Sequence, residues 1–312
     1  MEDTIRISEA LLHADATIKI VDTAPASLVL TGDSLKLINK ISRESIDLTV
    51  SSPPYCMGKD YESTTNIQDF VRNHELLLPK IIEKTKQGGS ICWQVGYHVQ
   101  NGVITPLDYL VHKVMSDFPE MKLRNRIIWH FGHGTHSPKR FSGRHEVILW
   151  YSKGDDYFFD LDAVRVPQKY PGKKHYKGPK KGKYSGNPLG KNPSDVWEIP
   201  NVNAMHVEKT AHPCQYPIGM VLRLVKSLCP EGGWVFDPFA GSGSTGAGTI
   251  IAGRNFIGIE KQASYARIAR KRIQLALAGK LDYRSANIPI LDPATAGAVG
   301  QAPRHFASET NR

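Results

Sequence analysis

The sequence predicts a doubly wound α/β fold, built on a mostly parallel β-sheet and carrying one basic insertion. Stretches typical of strands alternate with stretches typical of helices over most of the chain, and such alternation indicates a parallel sheet covered on both faces. A glycine-rich turn at 241–246 joins an apolar strand to a helix, as in nucleotide-binding folds. The next strand ends at Glu260, and an acidic residue about 20 positions beyond such a loop is where these folds bind ribose hydroxyls.

The elements follow in order between two weakly structured ends. Residues 1–27 are expected to form a loosely tied leader, and the tail from Ser285 is rich in Ala, Pro, Gly and Ser. Apolar runs predict strands at 27–32, 45–50, 90–95, 126–129, 146–151, 234–236 and 253–260. Helical periodicity predicts helices at 34–41, 67–86, 106–118, 218–227, 245–252 and 264–278. Gly88 and Gly89 are expected to end the second helix, and the last is expected to be a basic surface helix that includes Arg272.

Length and composition are those of a globular enzyme with a polyanionic partner. The 312 residues suffice for one large domain or a domain with an insertion, and 40% are hydrophobic and 22% charged. The formal net charge of +10 points to DNA, RNA or a membrane surface, between which charge alone does not decide. The four cysteines have no zinc or disulfide spacing, the start does not resemble a signal peptide, and no apolar run is long enough to span a membrane. We therefore expect a cytoplasmic protein with no membrane partner.

Two motifs carry most of the chemical information. Ser51-Ser52-Pro53-Pro54-Tyr55 follows a predicted buried strand, and its successive prolines fix φ and hold the nearby carbonyls rigidly. Asp237-Pro238-Phe239-Ala240-Gly241-Ser242-Gly243, the glycine loop, follows another strand but is neither a dinucleotide G-x-G-x-x-G nor a P-loop. An isolated Ser-Pro-Pro is more often an ordinary turn, and a lone loop of this kind is as often an ordinary connection.

Together, and in this order, the two motifs resemble those of the amino-methylating DNA methyltransferases, which use S-adenosyl-L-methionine (AdoMet). The resemblance covers about residues 28–275. Having the catalytic motif first and the cofactor motif last resembles the β-type permutation of that family. It implies a Rossmann-like methyltransferase fold that binds AdoMet and transfers its methyl group directly to an exocyclic amine of a base flipped out of double-stranded DNA.

The resemblance also implies the catalytic residues, which are Ser52, Pro53, Pro54 and Tyr55. The Ser52 side chain and the Pro53 carbonyl are expected to accept from the amine and to turn its lone pair toward the methyl group. Tyr55 is expected to stack on the flipped base. A serine in first position resembles the cytosine-N4 members more than the adenine-N6 members, which usually carry Asp or Asn there, and adenine stays open. The chain lacks a Pro-Cys nucleophile motif, which argues against methylation of the cytosine ring carbon.

The implied cofactor site includes Asp33, Gln215, Asp237, Pro238, Phe239, Gly241, Gly243, Ser244 and Glu260. Within it, Glu260 is expected on the ribose and Asp33 beside the adenine amine. Asp33 is at least as well explained as the N-cap of the helix that follows, and both roles are compatible. Gln215 lies in a His-Pro-x-x-Tyr-Pro segment, which in the family lines the methionine end of the pocket.

A basic, glycine- and tyrosine-rich stretch divides the chain. We expect a catalytic half at 28–152, a target-recognition insertion at 153–204 (the basic insertion), an AdoMet-binding half at 205–284 and a tail at 285–312. A solvated linker is the alternative for the insertion, but its position and charge favour DNA recognition. The DNA-binding candidates are Lys139, Arg140, Arg144, Arg165, Lys169, Lys173, Lys174, Lys177, Lys180 and Lys181.

The loop with His130, His133 and His136 invites a zinc interpretation, but glycines on both sides of His133 predict a mobile loop and not a rigid set of ligands, so we expect no metal. The basic residues of this loop favour contact with phosphate, or with the base left behind after flipping. Two other functions stay open: an RNA or protein methyltransferase with the same tetrapeptide, and a non-catalytic DNA-binding relative. The acidic residues at 33, 237 and 260 argue against the latter. The sequence does not decide whether a cognate restriction endonuclease exists or whether the chain forms a homodimer.

Overall fold

The computed structural model describes residues 25–55, 66–132, 134 and 136–288, arranged around one large sheet. The strands are β1 Ser27–Thr31, β2 Ile46–Ser51, β3 Thr85–Val95, β4 Tyr97–Gln100, β5 Val103–Pro106, β6 Met121–His130, β7 His145–Lys153, β8 Val196–Glu198, β9 Trp234–Asp237 and β10 Asn255–Glu260. The helices are α1 Ser34–Leu37, α2 Ile67–Lys84, α3 Leu107–Met115, α4 Ile218–Leu228, α5 Ser244–Ile251 and α6 Ala263–Leu277. Short 3-10 turns lie at Ile38–Lys40 and Asp162–Val164.

The predicted sheet is confirmed. Its eight strands run in the order β1-β10-β9-β2-β3-β7-β6-β8, with parallel pairing from β1 through β3 and between β6 and β8. Strand β7 is antiparallel to both neighbours. The departure has a simple cause: β6 and β7 are consecutive, and the residues described between them form no crossover helix, so the two strands pair as a hairpin. Strands β4 and β5 form a separate small hairpin that the sequence analysis did not predict.

Helices cover both faces of this sheet, as a doubly wound fold requires. Alternate residues of one strand point to opposite sides, so Trp93 packs in the layer of α2 and α3 while its neighbour Cys92 packs in the layer of α4, α5 and α6. Within the described residues, no helix is long and apolar enough to cross a membrane.

The strand order brings the two sequence motifs together. The chain runs from β2 to β3 in one direction across the sheet, and from β9 to β10 in the other. Between β2 and β9 the winding therefore reverses, and α/β folds bind ligands in the crevice outside the carboxyl ends of the strands at such a reversal. Ser51 ends β2 and Asp237 ends β9, and their side chains are hydrogen-bonded although 186 residues separate them in sequence.

Three sequence predictions need correction: the end of the second helix, the end of the first helix, and the placement of Arg272. Helix α2 ends at Lys84, because Thr85 already begins β3 and its hydroxyl caps the carbonyl of Ile81 at 2.8 Å. Gly88 lies inside β3 at φ +77°, and an added Cβ would come within 2.7 Å of a carbonyl oxygen. The glycine therefore permits an irregular backbone conformation within the strand and does not end a helix. Helix α1 ends at Leu37 and continues only as the 3-10 turn.

Arg272 is the third correction. It is only 5% exposed, and thus not on the surface, because the α6 face with Ala269, Ile273 and Ala276 packs against the sheet. Its guanidinium instead contacts the glycine loop, at the Ser242 carbonyl.

Burial of His74 makes the fold acid-sensitive. Its Nδ1 donates to the Phe70 carbonyl at 2.7 Å and its Nε2 accepts from Trp93 Nε1 at 3.0 Å, an arrangement that needs the neutral ring. Burial accordingly lowers the pKa of His74 from 6.5 to about 4. A base with a depressed folded pKa stabilises the fold fully above its unfolded pKa and loses that contribution as the pH falls toward the folded one.

We therefore expect His74 to contribute a fall of about 2 kcal/mol in the free energy of unfolding between roughly pH 6.5 and 4.5, measured by urea denaturation as the difference between wild type and His74→Gln. The His74→Gln variant should lose this contribution and keep the one that His212 makes. The His212→Gln variant is the comparison, because the partly buried His212 also has its pKa lowered to about 4 and should account for a separate part of the pH dependence. An unchanged slope in His74→Gln would contradict this origin.

Candidate active site

A cavity of about 460 Å³ opens at the carboxyl ends of the central strands. The whole Ser-Pro-Pro-Tyr motif lines it: Ser52, Pro53, Pro54 and Tyr55. So do six of the predicted cofactor residues, which are Asp33, Gln215, Phe239, Gly241, Ser244 and Glu260. Asp237, Pro238 and Gly243 lie behind this lining in the described structure. The cavity thus joins the motif that follows β2 to the loop that follows β9.

Asp237 is a buried junction beneath the cavity. It has no exposed surface. Its carboxylate accepts hydrogen bonds from Ser51 Oγ at 2.5 Å, Thr245 Oγ1 at 2.5 Å, the Phe239 amide at 3.0 Å and Tyr216 Oη at 3.1 Å. Burial raises its pKa, and these hydrogen bonds oppose the rise. The carboxylate therefore fixes the residue before the Ser-Pro-Pro-Tyr motif and the start of the glycine loop at the same time.

The glycine loop turns tightly against α6. Gly243 is the N-cap of α5 at φ +78°, and a Cβ there would come within 2.7 Å of the Ala269 backbone, so only glycine fits. Arg272 holds the same loop from behind by donating to the Ser242 carbonyl at 2.9 Å and to Ser244 Oγ at 3.1 Å. Pro238 takes part as well, since its carbonyl accepts from the Ser34 hydroxyl.

Glu260 and Asp33 stand together at one end of the cavity. Glu260 accepts from the Gly241 amide and from the Gln262 amide, each at 2.8 Å, and its backbone carbonyl accepts from Gly32 at 2.9 Å. Burial raises the pKa of Glu260. The predicted N-cap role of Asp33 is present, because its carboxylate accepts from the Leu35 amide at 2.8 Å while it also lines the cavity. Two carboxyl groups at one end suit a ligand that offers hydroxyl or amine donors.

Gln215 and His212 shape the side of the cavity next to the glycine loop. Gln215 accepts from the Thr210 amide and hydroxyl at 2.8 Å and donates to the Glu208 carbonyl at 3.1 Å, which folds the segment onto itself. His212 packs edge-on against Tyr265, with ring centroids 4.5 Å apart. Burial lowers the pKa of His212 to about 4, so this wall is neutral at physiological pH.

At the other end, the Ser-Pro-Pro-Tyr motif meets a polar cluster that the sequence analysis missed. Tyr55 Oη lies 3.4 Å from Ser52 Oγ and accepts from Gln94 Nε2 at 2.9 Å. Gln94 also donates to the carboxylate of Glu146, which lines the cavity. Burial raises the pKa of Glu146 to about 7 and the pKa of Tyr55 well above its ordinary value. The sequence signal for Glu146 was an acidic residue directly before the apolar run 147–151, inside a predicted strand.

Aromatic side chains complete this end of the cavity. Trp129 and Phe131 meet edge-on with centroids 5.4 Å apart, and Trp93 meets Phe239 in the same way at 6.2 Å. All four line the cavity. Flat apolar walls next to a few fixed polar groups are typical of a site for a planar heterocycle.

The DNA-binding candidates lie mostly on the surface. Lys139, Arg140, Lys169, Lys173, Lys174, Lys177, Lys180 and Lys181 are exposed, whereas Arg144 and Arg165 are partly buried. Arg144 donates to the Gly143 carbonyl, and Arg165 pairs with Asp162 at 2.6 Å and donates to the Gly190 carbonyl. The contacts of Arg144 and Arg165 therefore stabilise the loops in which these residues lie.

The basic insertion is folded back on itself and is not an open linker. Antiparallel bridges join Val166 to Lys191 and Lys174 to Tyr184. Lys174 also lies 5.3 Å from the centre of the Tyr184 ring. In the loop between β6 and β7, His133 lies outside the described residues, and the described part of the chain holds no cluster of metal-ligating side chains.

Comparison with known proteins places this geometry in context. Residues 46–271 match the model of a family described as DNA methylase, of the N6/N4 type. The chain is 42% identical over 245 residues to the type II methyltransferase M.BglII of Bacillus subtilis, covering 77% of this chain and 67% of that protein. It is 39% identical over 255 residues to the type II methyltransferase M.ScaI of Streptomyces caespitosus, covering 79% and 81%. The DNA adenine methyltransferase YhdJ of Escherichia coli is 28% identical over 256 residues, covering 80% and 84%.

Solved structures share the fold. The cytosine-N4-specific PvuII DNA methyltransferase superimposes with a TM-score of 0.64 at 21% identity, covering 83% of this chain and 94% of that chain. M1.HpyAVI in complex with AdoMet superimposes with a TM-score of 0.52 at 18% identity, covering 80% and 100%.

Proposed function

The chain belongs to the N6/N4 family of DNA methylases, and from that premise we propose that it methylates the N4 amine of a cytosine flipped out of double-stranded DNA at a specific sequence. It is an AdoMet-dependent DNA methyltransferase, and DNA is its substrate. The observation that carries the choice of base is Ser52 at the first position of the Ser-Pro-Pro-Tyr motif, on the cavity wall.

The cavity fits AdoMet in size and in chemistry. Its volume of about 460 Å³ lies in the usual range for small-molecule sites. Glu260 and Asp33 supply acceptors for ribose hydroxyls and an adenine amine, and Phe239 supplies an apolar wall. Gly241, at φ +51°, lets the backbone approach a ligand closely. When bound, AdoMet supplies a methyl group on a positively charged sulfur.

The Ser-Pro-Pro-Tyr motif then orients the base. An exocyclic amine conjugated to its ring is a poor nucleophile, so its lone pair must be turned toward the methyl group. Ser52 Oγ and the Pro53 carbonyl accept the amine hydrogens and hold them out of the ring plane, while the ring stacks on Tyr55. Adenine N6 is the second candidate. The relative YhdJ, which is named a DNA adenine methyltransferase, favours it.

Product analysis tests the base directly. The protein is incubated with tritiated-methyl AdoMet and mixed genomic DNA, which is then digested to nucleosides and examined by mass spectrometry. N4-methylcytosine is the expected product. N6-methyladenine would overturn the interpretation of Ser52 and leave the fold and the mode of transfer in place. AdoMet binding without label in DNA would move the substrate to RNA or protein.

We further propose that residues 153–204 recognise the DNA target, between the catalytic half at 28–152 and the AdoMet-binding half at 205–284. Lysines on a hairpin-like segment neutralise phosphates and release counterions, so binding weakens with salt. Changing Lys173, Lys174, Lys180 and Lys181 to glutamine should reduce the salt slope of log K by about 0.9 for each phosphate that is no longer neutralised. Fluorescence anisotropy of labelled duplex DNA over a range of salt concentrations measures the binding constant K and hence this slope.

A matched variant controls for net charge. Lys113, Lys122, Lys226 and Lys280 are exposed and lie outside the insertion, so changing them to glutamine removes the same charge elsewhere. This control should keep the wild-type salt slope. Equal slopes in both quadruple variants would contradict a recognition role for the insertion.

The proposal extends to the cellular setting. The relatives at 42%, 39% and 31% identity are all named type II methyltransferases, which supports a companion restriction endonuclease acting on the same site. Resistance of the methylated DNA to that nuclease tests the pairing. A cytoplasmic site of action follows from a DNA substrate and from AdoMet supply, and fractionation tests it. Sedimentation velocity tests for a homodimer.

A further inference from the structure

Glu146 occupies a position that the mechanism above leaves unused. It lies on β7 opposite Trp129 and faces the cavity. Gly96 leaves it room, because a Cβ at Gly96 would come within 3.0 Å of Glu146 Oε1 and within 3.3 Å of the Tyr55 ring. The carboxyl group and the tyrosine are therefore packed side by side at the base-binding end of the cavity.

A continuous run of polar groups connects this carboxyl group to the Ser-Pro-Pro-Tyr motif. Gln94 donates to both Tyr55 Oη and Glu146, and an amide NH₂ only donates. The phenolic oxygen of Tyr55 thus accepts from Gln94, and its own proton is directed at another acceptor. Tyr55 is hydrogen-bonded to Glu146, and Ser52 Oγ lies 3.4 Å from the same phenol.

We propose that Glu146 receives the proton that the base amine releases on methylation, by way of the Ser52 and Tyr55 hydroxyls. This role rests on the proposed function. The amine nitrogen gives its lone pair to the methyl carbon, and the carbon–sulfur bond breaks with its electron pair on sulfur. The nitrogen then carries a positive charge. Its proton passes to Ser52 Oγ as the Ser52 proton passes to Tyr55 and the Tyr55 proton passes to the Glu146 carboxylate. A neutral methylated amine and a neutral carboxyl group remain.

The electrostatics of the pocket fit this task. Burial raises the pKa of Glu146 to about 7, so the carboxylate is a stronger base than an exposed one and is still substantially ionised near neutral pH. Ionised, it also attracts the cationic charge that develops on the amine.

Other titratable groups surround the pocket. The groups on neighbouring elements are Tyr55 after β2, His74 on α2, His130 on β6, His145 on β7, and His212 and Cys214 before α4. His74 and His212 have pKa values of about 4 and stay neutral above roughly pH 5.5. Every one of these groups is retained when Glu146 is changed to glutamine, so any pH dependence they cause is retained too.

The test compares single-turnover methylation of duplex DNA by wild type and Glu146→Gln from about pH 5.5 to 9, with saturating AdoMet. The wild-type rate should rise with an apparent pKa near 7, whereas the Glu146→Gln rate should lack that rise. The ratio of the two rates should grow to about tenfold or more at the alkaline end. Tyr55→Phe keeps the ring, removes the hydroxyl, and should lose the same rise.

Asp108→Asn is the matched control. Asp108 is a buried carboxylate paired with Arg126 at 2.7 Å and lies outside the described cavity lining, so this variant should keep the wild-type pH profile. If Glu146→Gln had the same pH profile as wild type, the proton-accepting role of Glu146 would be overturned, and the proposed DNA methylation would be unaffected. If the wild-type protein placed no methyl group in DNA, the proposed function would fail, and the role of Glu146 would fail with it. The absence of methylated DNA distinguishes this outcome from a failure of the Glu146 role alone.

A second readout needs no activity. An acid whose folded pKa is raised contributes stability fully below its unfolded pKa and loses it as the pH rises through the folded pKa. The melting temperature of the wild-type protein without ligand should therefore fall relative to Glu146→Gln between about pH 4.5 and 7. A constant difference across this range would show that Glu146 does not titrate there and would overturn the proposal.

Discussion

Replacing Asp237 by alanine is expected to remove measurable AdoMet binding and to lower the free energy of unfolding by about 3 kcal/mol or more. The reason is the completeness of its contacts. Two hydroxyls on different elements, the Tyr216 phenol and the Phe239 amide all donate to this one buried carboxylate. Alanine would remove the acceptor that these four donors share in a site with no exposed surface, and unsatisfied buried donors are more destabilising than the removal of a surface hydrogen bond.

The consequence for AdoMet is indirect. Asp237 lies behind the cavity lining, so its loss acts through the glycine loop and through Ser51, which precedes the Ser-Pro-Pro-Tyr motif. Calorimetric titration with AdoMet and guanidinium denaturation measure the two effects. Glu260→Ala is the comparison, because Glu260 lines the cavity: it should weaken AdoMet binding with a smaller loss of stability. An Asp237→Ala protein with normal AdoMet affinity would contradict the junction role.

The sequence does not distinguish a residue that lines the cavity, such as Glu260, from one that supports the lining from behind, such as Asp237. The Asp-Pro-Phe order predicts a carboxylate at the end of a strand, and that placement is correct. Whether the side chain points into the crevice or beneath it depends on Thr245 in the helix that follows, and on Ser51 and Tyr216, which lie 186 and 21 residues away in sequence. None of them has a spacing that a single sequence reveals.

The meeting of the two motifs, by contrast, follows from topology. Parallel strands align their carboxyl ends, so any pattern that predicts strands before Ser52 and before Asp237 predicts that both loops open at the same edge. The hairpin of β6 and β7 was not predicted, since alternation of strands and helices was extended across a stretch that contains no helix. That hairpin is what carries Glu146 to the cavity.

The helical periodicity of α6 indicates that Arg272 is buried, although its charge had led to the prediction of a surface position. Ala269, Ile273 and Ala276 mark the buried stripe of α6, and position 272 lies four residues before 276, at the edge of that stripe. Its charge suggested a surface site. Burial is tolerated because the Ser242 carbonyl and the Ser244 hydroxyl accept from it and Glu208 lies 3.8 Å away.

Tyr55→Ala is expected to lower the single-turnover methylation rate by about a hundredfold while changing AdoMet affinity by less than about twofold. The loss combines a stacking surface for the base with the hydroxyl that links Ser52 to Glu146. The neighbours of Tyr55 lie on β3 and β7, whereas Asp33 and Glu260 belong to the β1 and β10 side of the sheet. A change at one end of the cavity therefore leaves the acceptors at the other end in place.

Tyr55→Phe separates the two contributions, because phenylalanine stacks but lacks the hydroxyl. At about pH 6, where Glu146 is largely protonated, Tyr55→Phe should approach the wild-type rate while Tyr55→Ala stays slow; at about pH 8.5 both should be slow. Rapid-quench kinetics with tritiated-methyl AdoMet give the rates, and calorimetry gives the affinity for AdoMet. If Tyr55→Ala weakened AdoMet binding as much as it slowed methyl transfer, Tyr55 would belong to the cofactor end of the cavity, and the base would have to stack elsewhere, with Phe131 and Trp129 as the remaining aromatic walls.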